Sequence, residues 1–241
     1  AKINFSKKLS LNGFKRQRQT DASLIRIYFR YICVQNRSMY TEYQPSHLLV
    51  PYIDSYWEFK GNPDYGMRIH ILPDGCTDFI FTLGEVANAV EEGSLIMQPY
   101  RSYFVGPMTK YSELVTYTES IHMFGVRFLP CGLSCFTNLP LHEFVNSRVS
   151  TNEMKAVFDD TFIEKLGEQK HVTDRIRVVE EYLLAYLARH YQPADSHVAM
   201  AVNMINHSKG KRSVRSLMDD VCLCQRHFER KFKHYTGFTP K

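Results

Sequence analysis

SVRSLMDDVCLCQRHFERKFKHYTGFTPK, residues 213–241, reads as two short helices on either side of a tight turn. Val214, Leu217, Met218 and Val221 fall on one apolar helical stripe, and Phe228, Phe232 and Tyr235 fall on a second. Cys222-Leu223-Cys224 lies between them with one aliphatic to bury, Leu223, so the dimensions are those of a helix-turn-helix. The second helix carries Arg226, Arg230, Lys231 and Lys233 on its remaining faces. Just upstream, SHVAMAVNMINHS (196–208) has Val198, Ala201, Val202 and Ile205 on one side and stops at Lys209-Gly210, which makes 196–241 an all-helical unit.

A boundary precedes it. RIRVVEEYLLAYLARHY (175–191) places Ile176, Val179, Leu183, Tyr186 and Leu187 at helical spacing, with Thr173 or Asp174 to cap its start. Pro193 then disfavours helical geometry in Gln192 and ends it. The helix has enough apolar surface for a dimer contact or for packing on its own domain.

From Tyr40 to Leu129 the pattern changes to short strands: IDSYWEF, RIHIL, TDFIFTL, SLIMQ, SYFVG, ELVTYT and IHMFGVRF. Gly61-Asn62-Pro63, Pro73-Asp74-Gly75, Glu91-Glu92-Gly93 and Gly106-Pro107 supply the turns between them. The expected fold class is therefore α+β: a β-rich antiparallel barrel or sandwich over 39–130, linking helices over 131–195, then the small helical unit of 196–241.

Charge follows the same division. Residues 1–38 carry nine basic groups and one acid, 39–195 carry 12 and 21, and 196–241 carry nine and three, against a net charge of +5 for 241 residues. An acidic body between basic ends suits contact with a polyanion better than a homogeneous enzyme. The basic stretch 1–38 reads as a nucleic-acid arm, as a targeting peptide, or as residues preceding a natural start at Met39; burial of Ile25, Ile27 and Phe29 would exclude the last. The longest uncharged run, 128–142, holds Pro130 and Pro140 and is too short to cross a bilayer, so no membrane partner is expected. The six scattered cysteines point to a reducing cytoplasm rather than a disulfide scaffold.

Beyond these patterns, HFERKFKHYTGFTP (227–240) resembles the first helix-turn-helix of AraC-type bacterial transcriptional regulators. YQPSHLLVPYIDSYWEFKG, ILPDGCTDFIFTLG and GVRFLPCGLSCFTNLPLHEFVN are similar to the β-rich, cupin-like sensor region of a subgroup of them, so the likeness covers Tyr40 to Lys241. It implies double-stranded DNA as a partner, a small-molecule effector and a homodimer. Base-facing positions fall on Arg226, Glu229 and Arg230; Lys211, Arg212, Gln225 and Lys233 are the phosphate contacts. Arginine can grip guanine with two bonds and glutamate can accept from cytosine. The chain departs from the family at Cys222, which stands where glycine is usual in the turn, at Met218 in place of alanine, and at Cys224 in place of a capping serine. A second reading unit, usual in the family, does not follow Lys241, so specific DNA binding by the 241 residues is expected to be weak.

Trp57, His70, Asp78, Ile80, Tyr103 and His122 are the pocket candidates, as polar or aromatic strand residues, with Ile80 on the Asp78 face by alternation. The alternative function is a small-molecule or interaction module without DNA binding. His70 and His122 stand alone in their strands, and Cys222, Cys224 and His227 lack a fourth ligand, so neither a metal nor a cofactor is expected. Cys131 and Cys135, four apart, would share a helix face for redox pairing; buried free thiols are the plainer expectation. No nucleophile elbow or phosphate loop is present, and no enzyme activity is expected.

Overall fold

The computed structural model describes residues 39–91, 93–154, 157–158, 161–190, 195–208 and 210–240. The basic stretch 1–38, with Ile25, Ile27 and Phe29, lies outside the described residues. Alternation along the strands decides the layers. In β4 (Thr77–Thr82), Phe79 and Phe81 point to one side and Asp78 and Ile80 to the other, and both phenylalanines are fully buried. β4 lies inside a six-stranded antiparallel sheet whose order is β1 (Tyr40–Tyr43), β2 (Ile53–Gly61), β8 (Ile121–Phe128), β4, β6 (Ser102–Val105), β9 (Arg148–Ser150). A second antiparallel sheet orders β3 (Met67–Ile71), β7 (Ser112–Thr116) and β5 (Asn88–Ala89). Between the sheets lie Trp57, Phe59, Ile80, Tyr103, Leu114, Ile121 and Met123, which makes the β-rich part a two-sheet sandwich in an α+β chain.

The outer face of the large sheet is covered by α1 (Phe162–Gly167) and α2 (Val172–His190). Phe158 packs edge-on against Phe79 and Phe81 at 5.1 and 5.3 Å between ring centres, and Val179 and Leu183 of α2 are fully buried beside them. The apolar stripe of α2 is thus spent inside the subunit. This helix starts at Val172, so Thr173 and Asp174 sit in its first turn instead of capping it, and His171 O accepts from the Asp174 and Arg175 amides. Arg175 is itself buried; it donates to Leu166 O and Gln169 O behind α1 and to Glu58 Oε1 at 3.1 Å.

Two further expectations need correcting. SLIMQ (94–98) is not a strand, because side chains satisfy its backbone: Asn88 Oδ1 accepts from Met97 N, Tyr103 Oη from Gln98 N, and Thr82 Oγ1 donates to Gln98 O. The stretch 131–195, read as linking helices, also returns β9 to the sheet edge. There is no α-helix at Cys131 and Cys135 but a short 3-10 turn, Gly132–Cys135, and the two cysteines are buried in different clusters. Burial pushes the Cys131 thiol up to about 12.

The C-terminal unit holds α3 (Ser196–His207), α4 (Val214–Val221) and α5 (Gln225–Thr236) around Val198, Ala201, Val221, Phe228 and Phe232, with Cys131 of the body in the same cluster. Asp195 caps α3 by accepting from the His197 and Val198 amides, and its carboxylate also pairs with the Lys231 ammonium of α5. The end of α5 docks on the body. Gly237 adopts φ +84°, and a Cβ there would lie 2.9 Å from Pro107 Cγ and 3.1 Å from Val145 Cγ2, so both conformation and space require glycine. His234 Nε2 meets Asn138 Oδ1 at 3.0 Å across the same contact.

The turn between α4 and α5 explains the departures seen in the sequence. Cys222 is held in the left-handed region at φ 51° and ψ 38°, and Cys224 caps α5 without a side-chain hydrogen bond. A non-glycine residue there costs roughly 1–2 kcal/mol, partly offset by the chain freedom a glycine would lose. Cys222→Gly is therefore expected to stabilise by about 0.5–1 kcal/mol, and Cys224→Ser by about 1 kcal/mol through a restored cap. Thermal unfolding of both variants checks this; a lower melting temperature for either would contradict the assigned geometry.

Candidate functional site

Helix α5 presents two different faces because its phenylalanines recur every four residues. Phe228 and Phe232 enter the core, which leaves Arg226, Arg230 and Lys233, spaced four and three apart, exposed together on the outer side. None of these three cations forms an ion pair among the described residues. Gln225, also exposed, donates to Glu229 Oε1 at 2.8 Å, which holds this half-buried carboxylate beside the cations. Lys211 is exposed. Arg212 is occupied: its Nη2 donates to Ser216 Oγ at 2.8 Å and pairs with Asp220. The arrangement offers a compact cationic strip with one acceptor, Glu229, on a helix whose first turn holds no acidic residue and no side-chain cap.

The second site is a cavity of about 90 Å³ between the two sheets. Trp57, His70, Asp78 and Ile80, four of the six candidates, line it, together with Tyr40, Phe59, Leu114 and Met123. The strand pairings put Ser55, Arg127, Asp78, Val105 and Arg148 in one transverse row of the large sheet. Arg127 Nε lies 3.2 and 3.3 Å from the two Asp78 oxygens, and its Nη1 lies 3.5 Å from Asp74 Oδ2. Burial alone would make the guanidinium easier to deprotonate; the Asp78 and Asp74 carboxylates outweigh it and hold the charge firmly.

Trp57 completes the floor. Its indole lies across Gly125 of β8, where an added Cβ would fall 2.0 Å from Cε2, and this close approach lets Nε1 donate to Asp78 Oδ1 at 2.8 Å. Tyr40 stacks on the indole from the edge strand, with ring centres 6.0 Å apart. At the rim, Arg68 bonds Glu113 Oε1 at 2.5 Å, and His70 lies 3.8 Å from the same oxygen.

Two candidates are placed elsewhere. Tyr103 is on the inner face and buried, but its hydroxyl is committed to Gln98 N and it does not line the cavity. His122 alternates with Ile121 and Met123 and so points to the helix side, where its Nε2 meets Glu58 Oε1 at 2.9 Å beside Arg175. Burial would raise the Glu58 carboxyl; the His122 hydrogen bond and charge, with Arg175 and Lys60, outweigh it and hold it low. Arg127 and Arg148 are absent from the sequence candidates. Arg127 shares the strand parity of Ile121 and Met123, which was the available signal; Arg148 lies in a stretch whose pattern reads as helical.

The two sites meet through one turn. Asp74, bonded to the Cys76 amide at 2.9 Å, precedes Gly75, whose Cβ position lies 3.9 Å from the Phe238 ring just past α5. Arg127, Asp74, Gly75 and Phe238 thus follow one another in space from the cavity towards the helical unit.

Among the described residues no group of three His, Cys, Asp or Glu side chains could hold a metal ion, and no helix is long and apolar enough to cross a membrane. Residues 41–150 match the model of DUF6597, a domain of unknown function, a span that ends with β9. No curated protein matches the chain. Among solved structures, ToxT from Vibrio cholerae aligns over 78% of this chain and 97% of that one, at 7% identity and a TM-score of 0.32. At that score the fold assignment rests on the sheets and helices themselves.

Proposed function

We propose that this chain is a DNA-binding transcription regulator of the AraC type, with the two-sheet body as its sensor and α3–α5 as its DNA-reading unit. What carries the reading is the exposed strip of Arg226, Arg230 and Lys233 on the second helix of a helix-turn-helix, clear of intramolecular ion pairs among the described residues. In this reading α5 enters the major groove. Arg226 and Arg230 contact guanine, and Glu229 accepts from cytosine. Lys211, Gln225 and Lys233 hold phosphates, which position the helix without specifying sequence. Arg212 joins them only after leaving Asp220.

The cavity is the effector site. An effector that binds one arrangement of the helical unit better than another shifts the population between them. The Arg127–Asp74–Gly75–Phe238 path is the route by which cavity contents bear on the docking of α5. The chain has no catalytic step in this account and acts in the bacterial cytoplasm. The cavity by itself also suits a small-molecule-binding module without a DNA role, and the test below separates the two.

Titration of a labelled duplex at several salt concentrations, followed by fluorescence anisotropy, is that test. Each phosphate charge neutralised contributes about 0.9 to the slope of log affinity against log salt. The Arg226→Ala, Arg230→Ala, Lys233→Ala triple variant is expected to bind at least tenfold more weakly at low salt, with a slope shallower by about 1 because Lys233 is the phosphate contact among the three. Equal binding and slope for the variant would remove α5 from the interface, and no binding by the wild type at low salt would leave the cavity-only reading standing.

A further inference from the structure

Arg127 in the cavity and Arg175 on the helix-covered face both have carboxylate partners; the half-buried Arg148 does not among the described residues. β9 places it on the inner face, one strand beyond Val105 in the row that contains Asp78, and it lines the cavity. Its Nη2 donates to Ser112 Oγ at 2.8 Å on the opposite sheet, and no carboxylate lies within ion-pair distance of it among the described residues. Glu91, the acid that acts on it electrostatically, is committed to the Lys110 ammonium. A guanidinium in these surroundings pays desolvation without the compensation that Arg127 and Arg175 receive from Asp78 and Glu58. The contrast among three arginines on the two faces of one sheet is the observation: Arg127 and Arg175 are neutralised internally, and Arg148 faces the cavity with a neutral partner.

We propose that the cavity takes a small monocarboxylate with an apolar body, its carboxylate on Arg148 and its body among Trp57, Ile80, Val105, Leu114 and Met123. The proposal rests on reading the cavity as the effector site and adds the class of effector. A planar guanidinium fork matches a carboxylate in a bidentate pair. One arginine balances one negative charge, whereas a phosphate dianion would bring an excess charge into an apolar space that already holds Asp78. The row geometry sets the polarity of binding: the charged end lies towards β9, at the sheet edge, and the body runs inward over the Trp57 indole. Arg148 has no covalent role here; it selects the ligand.

Hexanoate, hexanol and hexyl phosphate, which share one six-carbon body, test this by calorimetric titration of the described chain without DNA. Hexanoate is expected to bind at least about tenfold more tightly than hexanol, the range of a hydrogen bond to a charged group. Arg148→Gln is expected to abolish that preference while binding hexanol as the wild type does. Equal affinity for hexanoate and hexanol, tighter binding of hexyl phosphate, a preference that survives Arg148→Gln, or no binding of hexanoate at millimolar concentration overturns the proposal. If Arg148→Gln does not fold, the wild-type comparison of the three ligands decides by itself. Since no DNA is present, failure here leaves the DNA-binding reading untouched, and failure of the duplex titration leaves this one untouched.

Discussion

Arg127→Met is expected to cost about 3–5 kcal/mol of stability, because it leaves buried carboxylates without their partner. For a chain of this size that corresponds to a melting temperature lower by roughly 6–20 °C. Methionine keeps much of the volume of the side chain, so the loss reports on charge more than on packing. Asp78 sits at 13% side-chain exposure between Arg127 and Trp57, and Asp74 adds a second carboxylate to the same guanidinium. Burial already pushes the Asp78 carboxyl up against the pull of Arg127, with Asp74 adding to the rise.

The pH dependence of this deficit has a definite sign. Without Arg127 the folded-state pKa of Asp78 rises further above the unfolded value near 3.9, so the folded form binds the proton more tightly. The deficit is then greatest above the variant's raised folded pKa and shrinks as pH falls through it, because protonation removes the unpaired charge. Melting temperatures of wild type and variant between pH 4 and 8 measure it. A deficit that stays constant across that range would show that Arg127 acts by packing alone.

Gly125→Ala is the second large effect, expected at about 3 kcal/mol. The new Cβ would fall 2.0 Å from Cε2 and 2.3 Å from Nε1 of the Trp57 ring, so the indole must move and its bond to Asp78 breaks. Overpacking of this kind costs roughly 1–3 kcal/mol, and a hydrogen bond to a charged acceptor contributes about 1.5–3 kcal/mol. Trp57 is the only tryptophan of the chain, so its fluorescence reads the displacement directly. The expected result is a red-shifted emission together with a lower melting temperature. Gly167→Ala is the control, since nothing lies within 4 Å of its Cβ position, and its stability should change by less than about 1 kcal/mol. Unchanged emission in Gly125→Ala would contradict the indole's position over β8.

What could be read from the residues and what could not divides along physical lines. Phe79, Phe81, Phe228 and Phe232 repeat at the periods of their elements, and the strands and helices that carry them follow the sequence closely. The αL geometry at Cys222 was foreshadowed by the glycine that the motif usually has there. SLIMQ has strand composition but no ladder, because Asn88, Tyr103 and Thr82 take up its backbone groups, and such long-range partners leave no local pattern. β9 is three residues long and was hidden by helical surroundings, which is why Arg148 was missed.

Parity explains the rest of the cavity. Asp78 and Ile80 were placed together by alternation within β4, and both line it. The same rule applied to β8 separates His122 from Met123 and Arg127, and would have exchanged one candidate for another. That Trp57 lies flat over Gly125 depends on strand register, which only the paired structure supplies.

Amide hydrogen exchange of residues 213–237, with and without a 20-base-pair duplex at low salt, tests most directly whether α5 is the DNA-reading element. The expected result is slowed exchange confined to the turn at Cys222–Cys224 and the first two turns of α5, lost in the Arg226→Ala, Arg230→Ala, Lys233→Ala variant. Unchanged exchange along α5 in a sample where the duplex is demonstrably bound would contradict it.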